Sequence, residues 1–275
     1  MKKRLIPFLI VIIALVMAGC GGSKKVAINE LSDLQGKVLG TVTSGISGES
    51  YGKMIENLIG GPAGEVVYFN RGMDALTALK AGKIDALPIH QFTADYILKR
   101  NNDLKAIPVE AEFEGGVIMA VRSEDLALKA ALDSAIVILK ENGTLKALED
   151  EWVTNLPATN EPSNTEISKI EGAKTIYIGV SGDYPPLDYI AADGRPAGFN
   201  VAILNEIGKI LNLNFEFVSL ETQARFAALT SKKIDVIFCH FQSNDSSYFD
   251  DLKTNNWIST IPYFTYRGGC FLAMQ

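Results

Sequence analysis

The chain has only two histidines, His90 and His240. Each closes a copy of one phrase. Residues 78–90 read ALKAGKIDALPIH and residues 228–240 read ALTSKKIDVIFCH, so Ala78/Ala228, Leu79/Leu229, Lys83/Lys233, Ile84/Ile234, Asp85/Asp235 and His90/His240 pair at an offset of 150. An imidazole changes charge close to neutrality. Two of them converging on one cavity would hold an anionic or carboxylated ligand and tune its capture near pH 6–7. The plainer reading has each histidine capping a strand and bonding local backbone. A metal bridging the pair would need more ligands than the nearby Cys239 and Asp245, so neither metal nor cofactor is expected. Asp85 and Asp235 follow Lys-Ile and open apolar runs, which suits turn formation better than catalysis. No Ser/His/Asp set or carboxylate pair stands at credible spacing, and the chain does not read as an enzyme.

A repeat of this length is far beyond any solenoid or propeller unit and points to two similar lobes. The elements that would position the histidines alternate in type. In the first half, strands are expected at Val38–Val42, Glu65–Phe69, Ile84–Ile89 and Gly116–Val121, with helices at Gly48–Leu58, Met73–Ala81 and Gln91–Lys99. The second half repeats the pattern: strand Thr175–Val180, helix Phe199–Leu211, strand Asn214–Val218, helix Thr222–Ser231, strand Ile234–Phe238. Apolar strands separated by helices indicate an α/β fold with mostly parallel, doubly covered sheets. Ligands of such sheets collect beyond the carboxyl ends of the strands, where both histidines fall. Gly82 fits a helix C-terminus, with Ser231 expected in that role in the second copy. Between the halves, Leu132, Ile136, Leu139 and Leu148 make an apolar helical face interrupted at Gly143. Trp152 reads as core, Arg225 as a solvated helix charge that could also reach the cleft, and Glu112 and Glu114 as an exposed loop. Residues 156–173 have a linker composition.

Compartment follows from the start of the chain. Lys2, Lys3 and Arg4 precede an apolar run from Leu5 to Met17 and then Ala18-Gly19-Cys20. This is a secretion signal, and the run is short for a membrane span. A cysteine directly after small residues resembles a bacterial lipobox, with Cys20 as the lipidated first residue of the mature chain. An ordinary signal peptide is the alternative. Gly21 to Lys25 would form a tether. A formal net charge of −6 is not the basic footprint of a nucleic-acid binder. Cys239 and Cys270 are the other cysteines. They read either as a disulfide or as two unrelated buried thiols.

Several stretches resemble one family. Ile178-Gly179-Val180, Asp183-Tyr184-Pro185-Pro186, Gly194, Gly198-Phe199-Asn200, Ala228-Leu229, Lys233-Ile234-Asp235 and Ile261-Pro262-Tyr263-Phe264 look like the first lobe of the extracellular solute-binding proteins of family 3. These serve ABC importers of the amino-acid type. Asp33 to Lys37, Gly45, Ala78-Leu79, Gly82 to Ala86 and Gly143-Thr144…Trp152 look like that family's second lobe and closing helices. The resemblance implies a two-lobe periplasmic-binding-protein-like fold of type II, with the lobe order reversed. A circular permutation accounts for the order; a damaged tandem gene or exchange between chains are alternatives. The implied organisation is signal peptide 1–19, tether 20–30, second-lobe-like domain 31–125, closing helices 126–155 packing on the first-lobe-like domain, linker 156–173 and first-lobe-like domain 174–275.

The family's ligand positions transfer one at a time. Tyr184 matches the aromatic that covers the ligand. Ser181 stands where many members carry an acid. Cys239, His240 and Gln242 lie on the loop that holds the head group. Gly45, Ile46 and Ser47 match the loop that donates to a carboxylate. His90 replaces the Asp that pairs the ligand ammonium, and the family's clamping Arg, expected near Ser247, is missing, as is a second aromatic near Thr222. The implied function is capture of a small polar solute, an amino acid or related carboxylate, for the membrane subunits of an ABC importer, with the protein lipid-anchored to the extracytoplasmic face of a membrane. The alternative is a non-transporting sensor or degenerate binding protein without an amino-acid ligand.

Overall fold

The computed structural model describes residues 27–42, 48–110, 114–159, 169–191, 193–243 and 256–275. After a 3-10 turn at Leu31–Leu34 come β1 (Val38–Val42), α1 (Gly48–Ile59), β2 (Glu65–Phe69), α2 (Gly72–Lys80), β3 (Ala86–His90), α3 (Gln91–Leu98) and β4 (Leu104–Pro108). Then follow β5 (Glu114–Arg122), α4 (Leu126–Glu141), α5 (Thr144–Glu149) and a π-helical turn at Asp150–Thr154. The second half holds β6 (Lys174–Val180), β7 (Asp183–Tyr184), β8 (Asp188–Ile190), β9 (Pro196–Ala197), α6 (Phe199–Leu211) and β10 (Leu213–Ser219). It ends with α7 (Ala224–Thr230), β11 (Val236–Ser243), β12 (Trp257–Ser259), β13 (Phe264–Arg267) and β14 (Gly269–Met274).

Two sheets organise the molecule. The N-lobe sheet runs β2-β1-β3-β14-β4, and the C-lobe sheet runs β10-β6-β11-β5-β12, with β13 also paired to β5. In each, three parallel strands are followed by one antiparallel strand, β14 or β5. That strand comes from the other half of the sequence, so the chain crosses between lobes twice: from β4 into β5 and from β13 into β14. β14 is buried through the N-lobe core, where Phe271 and Leu272 have no exposure. β5 is buried from Gly115 to Arg122. Helices α4 and α5 pack on α6. There Leu132, Ile136, Leu139 and Trp152 join Phe199, Ile203 and Ile207 in one cluster.

The repeated phrase does equivalent structural work in both lobes. Ile84 and Ile234 are buried against a glycine of the neighbouring strand. A Cβ on Gly40 would lie 2.4 Å from Ile84 Cδ1, and one on Gly179 would lie 2.5 Å from Ile234 Cδ1. Those two strands therefore need the missing side chain. Asp85 Oδ2 accepts from Val38 N at 3.1 Å, and Asp235 Oδ2 accepts from Tyr177 N at 3.0 Å. Asp85 thus anchors the start of β1 and Asp235 the middle of β6, a structural role for each. Asp235 Oδ1 also pairs with the buried Arg122 Nη2 at 2.8 Å.

Several expectations need correction. The left-handed residue of the second copy is Lys232, with φ 62, matching Gly82 at φ 69; Ser231 stays at φ −78. Glu114 is not a loop residue but opens β5, where it pairs with Arg267 at 2.8 Å across the crossing strands. Arg225 is not solvated: it is 1% exposed. β7, β8, β9 and β12, of two or three residues each, are too short to read from sequence, and β4, β13 and β14 also lie beyond the expected strands. Cys239 and Cys270 are free, buried thiols, which leaves the second of the two cysteine readings.

Candidate functional site

The lobes meet along a seam lined by the carboxyl ends of β3 and β11. His90 ends β3 and precedes α3. Its ring stacks on Phe241 at 4.5 Å, meets Tyr266 edge-on at 4.5 Å and lies parallel to Phe92 at 5.5 Å. Tyr184 leans on the same Phe241 at 4.8 Å, and Phe92 meets Phe264 edge-on at 5.5 Å. These rings form an apolar floor beside the lobe crossings, because His90 pairs with Gly269 at the start of β14. Burial holds the His90 imidazole down at about 4, so it is neutral at physiological pH. Burial likewise pushes the Tyr184 phenol up to about 12, and this phenol does not ionise there.

His240 occupies a different environment. It contacts Phe226 and Trp257 edge-on at 5.4 and 5.3 Å, on the face covered by α7. The two imidazoles therefore do not converge. The cause is a bulge. The pairing of β11 with β5 shifts between Ile237 and His240, where Cys239 takes φ 56. An inserted residue reverses the alternation of faces, and it swings His240 onto the Ile237 side. β3 has no such insertion. Burial, with the nearby Arg225 adding, lowers His240 to about 4.

The other expected residues fall as follows. Ser181 is buried, and its N–H and Oγ–H both donate to Asp188 Oδ2, at 3.2 and 3.4 Å; Gly182 N donates to the same oxygen at 3.0 Å. Burial raises the Asp188 carboxyl, and these hydrogen bonds oppose the rise. Cys239 is wholly buried, and burial raises its thiol. Gln242 is exposed and pairs with Gly116. Gly45, Ile46, Ser47, Asp245, Ser247 and Cys20 lie outside the described residues. Among the described residues no cluster of three His, Cys, Asp or Glu side chains is placed to hold a metal ion, and no helix is long and apolar enough to cross a membrane.

The sequence assigns no role to Arg71 or to the Asp183 carboxylate, and it reads Arg225 as solvated. Arg71, at the start of α2, reaches across the seam: its Nε lies 3.4 Å from Asp183 Oδ1, and its Nη2 donates to the Ser181 carbonyl at 3.3 Å. The seam is tight there, since a Cβ on Gly72 would lie 3.2 Å from the Asp183 carbonyl oxygen. Burial raises the Asp183 carboxyl, and Arg71 partly offsets the rise. Arg225 donates from Nη1 to the Phe238 carbonyl at 2.7 Å and more weakly to that of Cys239 at 3.5 Å, bracing the bulge from behind. Its position after Thr222 on a helix carries no local sign of that role. The Asp183-Tyr184-Pro185-Pro186 stretch was the available signal for Asp183. Further from the floor, Tyr96 faces Tyr189 at 5.9 Å, and Lys99 and Arg100 bond the carbonyls of Leu156 and Pro157.

Comparison with known proteins locates the likeness. Residues 176–247 match the model of the bacterial extracellular solute-binding proteins, family 3. A probable amino-acid ABC transporter-binding protein of Haemophilus influenzae is 33% identical over 101 residues, 37% of this chain and 37% of that protein. The L-cystine-binding protein TcyJ of Escherichia coli K12 is 34% identical over 141 residues, 50% of this chain and 48% of that protein. The chain thus matches about half or less of the length of these relatives. A periplasmic binding protein of an ABC transporter from Brucella ovis, solved with glutathione bound, superposes with TM-score 0.46 at 14% identity, over 90% of this chain and 66% of that chain. The architecture is α/β, with two lobes each built on one of the two sheets.

Proposed function

We propose that this protein is a circularly permuted, lipid-anchored solute-binding protein of family 3. It closes two lobes on a small polar solute, an amino acid or related carboxylate, and presents it to the membrane subunits of an ABC importer. The observation that carries the reading is the pair of sheets with one strand order, each completed by a strand from the other half of the chain. Two strand crossings beside a cleft suit hinge closure, in which contacts from both lobes favour the closed state.

The permutation is supported by where the two ends of the described chain lie. Asn29 Oδ1 accepts from Lys105 Nζ at 2.9 Å, and Gln275 N donates to Asp103 O at 2.9 Å, so both ends dock on the start of β4. Joining them would restore the usual lobe order, with the linker of residues 156–173 opened. The domain limits proposed from sequence then apply, except that β5 and β14 each serve the opposite lobe's sheet. The basic residues, apolar run and Ala18-Gly19-Cys20 support the anchor at Cys20, on the extracytoplasmic face.

Thermal melting with the common L-amino acids, L-cystine and small carboxylates tests the reading. A captured solute at a hundredfold excess over its Kd stabilises the closed form by about 2.7 kcal/mol. A clear shift with at least one compound is expected. Silence across the panel overturns capture of such solutes. That outcome would favour a second reading, a binding protein without an amino-acid ligand, for which the self-packed floor of His90, Phe92, Phe241 and Tyr266 is the supporting observation.

A further inference from the structure

Among the described residues at the seam, Asp183 is a carboxylate with a buried, unpartnered oxygen. Its side chain is only 2% exposed, yet Oδ2 has no hydrogen-bond partner, and Oδ1 meets only the Arg71 Nε at a long 3.4 Å. A buried carboxylate left half-satisfied is costly and calls for an explanation. Asp188, its buried neighbour, already accepts three hydrogen bonds at Oδ2, from Ser181 and Gly182. It shapes the loop. Arg71 stands opposite, on the other lobe, with a side chain 44% exposed and its fork spread between Asp183 and a backbone carbonyl. That is far from the bidentate geometry in which an arginine–carboxylate contact is strongest.

We infer that Arg71 and Asp183 form a split clamp for a zwitterionic head group: Asp183 of the C-lobe receives the ligand's ammonium, and Arg71 of the N-lobe receives its carboxylate. Without ligand the two clamp charges rest loosely on each other across a tight seam; a zwitterion admitted as the lobes part, and then closed upon, satisfies both. The inference rests on the capture reading and gives it a head-group site. It also gives that reading a pair of charges where sequence found none, at Ser247 or at His90. The acid lies two positions along the loop from Ser181, and the cation comes from the opposite lobe. Tyr184, next to Asp183, covers the apolar side against Phe241.

Isothermal titration of the purified protein separates the possibilities. The probes are L-cystine, cystamine, which lacks the carboxylates, and 3,3′-dithiodipropionate, which lacks the amines; L-arginine and agmatine form a second set. Asp183→Asn is expected to weaken the amine-bearing probes about 30-fold or more and to leave 3,3′-dithiodipropionate nearly unchanged. Arg71→Gln is expected to weaken the carboxylate-bearing probes about tenfold and to leave cystamine and agmatine nearly unchanged; Arg71→Lys recovers part of that loss. Both positions are at the seam, and ligand-free melts of the variants check that the fold is intact. Equal weakening of every probe is the signature of a mere closure latch and overturns the inference. Zwitterion binding untouched by either variant overturns it too, while capture stands. Silence of the wild-type protein to all five probes overturns the clamp together with amino-acid capture.

Discussion

At the residue scale, the two histidines show how position in a repeat and chemical role can part. His90 and His240 end the same phrase, but one packs on the aromatic floor and the other under α7. Both are held neutral by burial, at about 4 against an ordinary 6.5. The sign of the consequence is definite. Above pH 6.5 both are neutral, folded or unfolded, and the stabilising effect of keeping them neutral is complete. Between 6.5 and 4 the unfolded chain binds protons that the folded one refuses, so stability falls with pH. The loss reaches at most about 3 kcal/mol per histidine by pH 4. Asp183 and Asp188, whose carboxyls are raised, act in the opposite direction. Urea denaturation of His90→Phe and His240→Phe across this range isolates the histidine share, because the carboxylates cancel in the comparison. Each variant should show a shallower acid loss than the wild type, and parallel curves would mean the imidazoles protonate freely in the fold.

At the element scale, the exchanged strands matter most. β14 is an inner strand of the N-lobe sheet, with β3 on one side and β4 on the other, yet it follows the C-lobe strands in sequence. A strand with neighbours on both sides satisfies the backbone groups of both its edges and buries side chains on both faces. Phe271 is wholly buried against β3 and β4. Phe271→Ala should cost about 3–5 kcal/mol, read from urea midpoints. Hydrogen exchange should show the loosening in β3, β4 and α1 first, with α6 and β6 of the C-lobe protected as before. Uniform loosening of both lobes would show that the lobes unfold as one unit.

At the scale of the whole molecule, the order of lobes along the chain is a matter of where the chain is cut. A rearranged chain running from residue 169 to Gln275, through a flexible linker, and on from Ala27 to residue 159 keeps both sheets and both crossings. Loop closure changes only slowly with length, so its stability should lie within about 2 kcal/mol of the natural order. The check is urea denaturation together with native mass spectrometry. A rearranged chain that forms only dimers would instead support exchange of segments between molecules.

The local grammar of the chain and its repetition are legible from the order of residues. Val38–Val42, Glu65–Phe69 and Phe199–Leu211 were located to the residue, and the interruption at Gly143 was placed, because apolar runs, helical periodicity and glycine are signals carried by neighbours in the chain. Ile84 and Ile234 were visible as equivalent for the same reason. Tertiary structure alone decided which lobe owns β5 and β14, since a crossing strand looks no different from any other apolar strand until its partners are known. It decided that Arg225 is buried, because its acceptors are carbonyls of another strand. It separated the two histidines through one inserted residue in β11, and it brought Arg71 to Asp183 from the other lobe. Those outcomes depend on which surfaces meet across a sheet or a seam, and the order of residues along the chain does not record that.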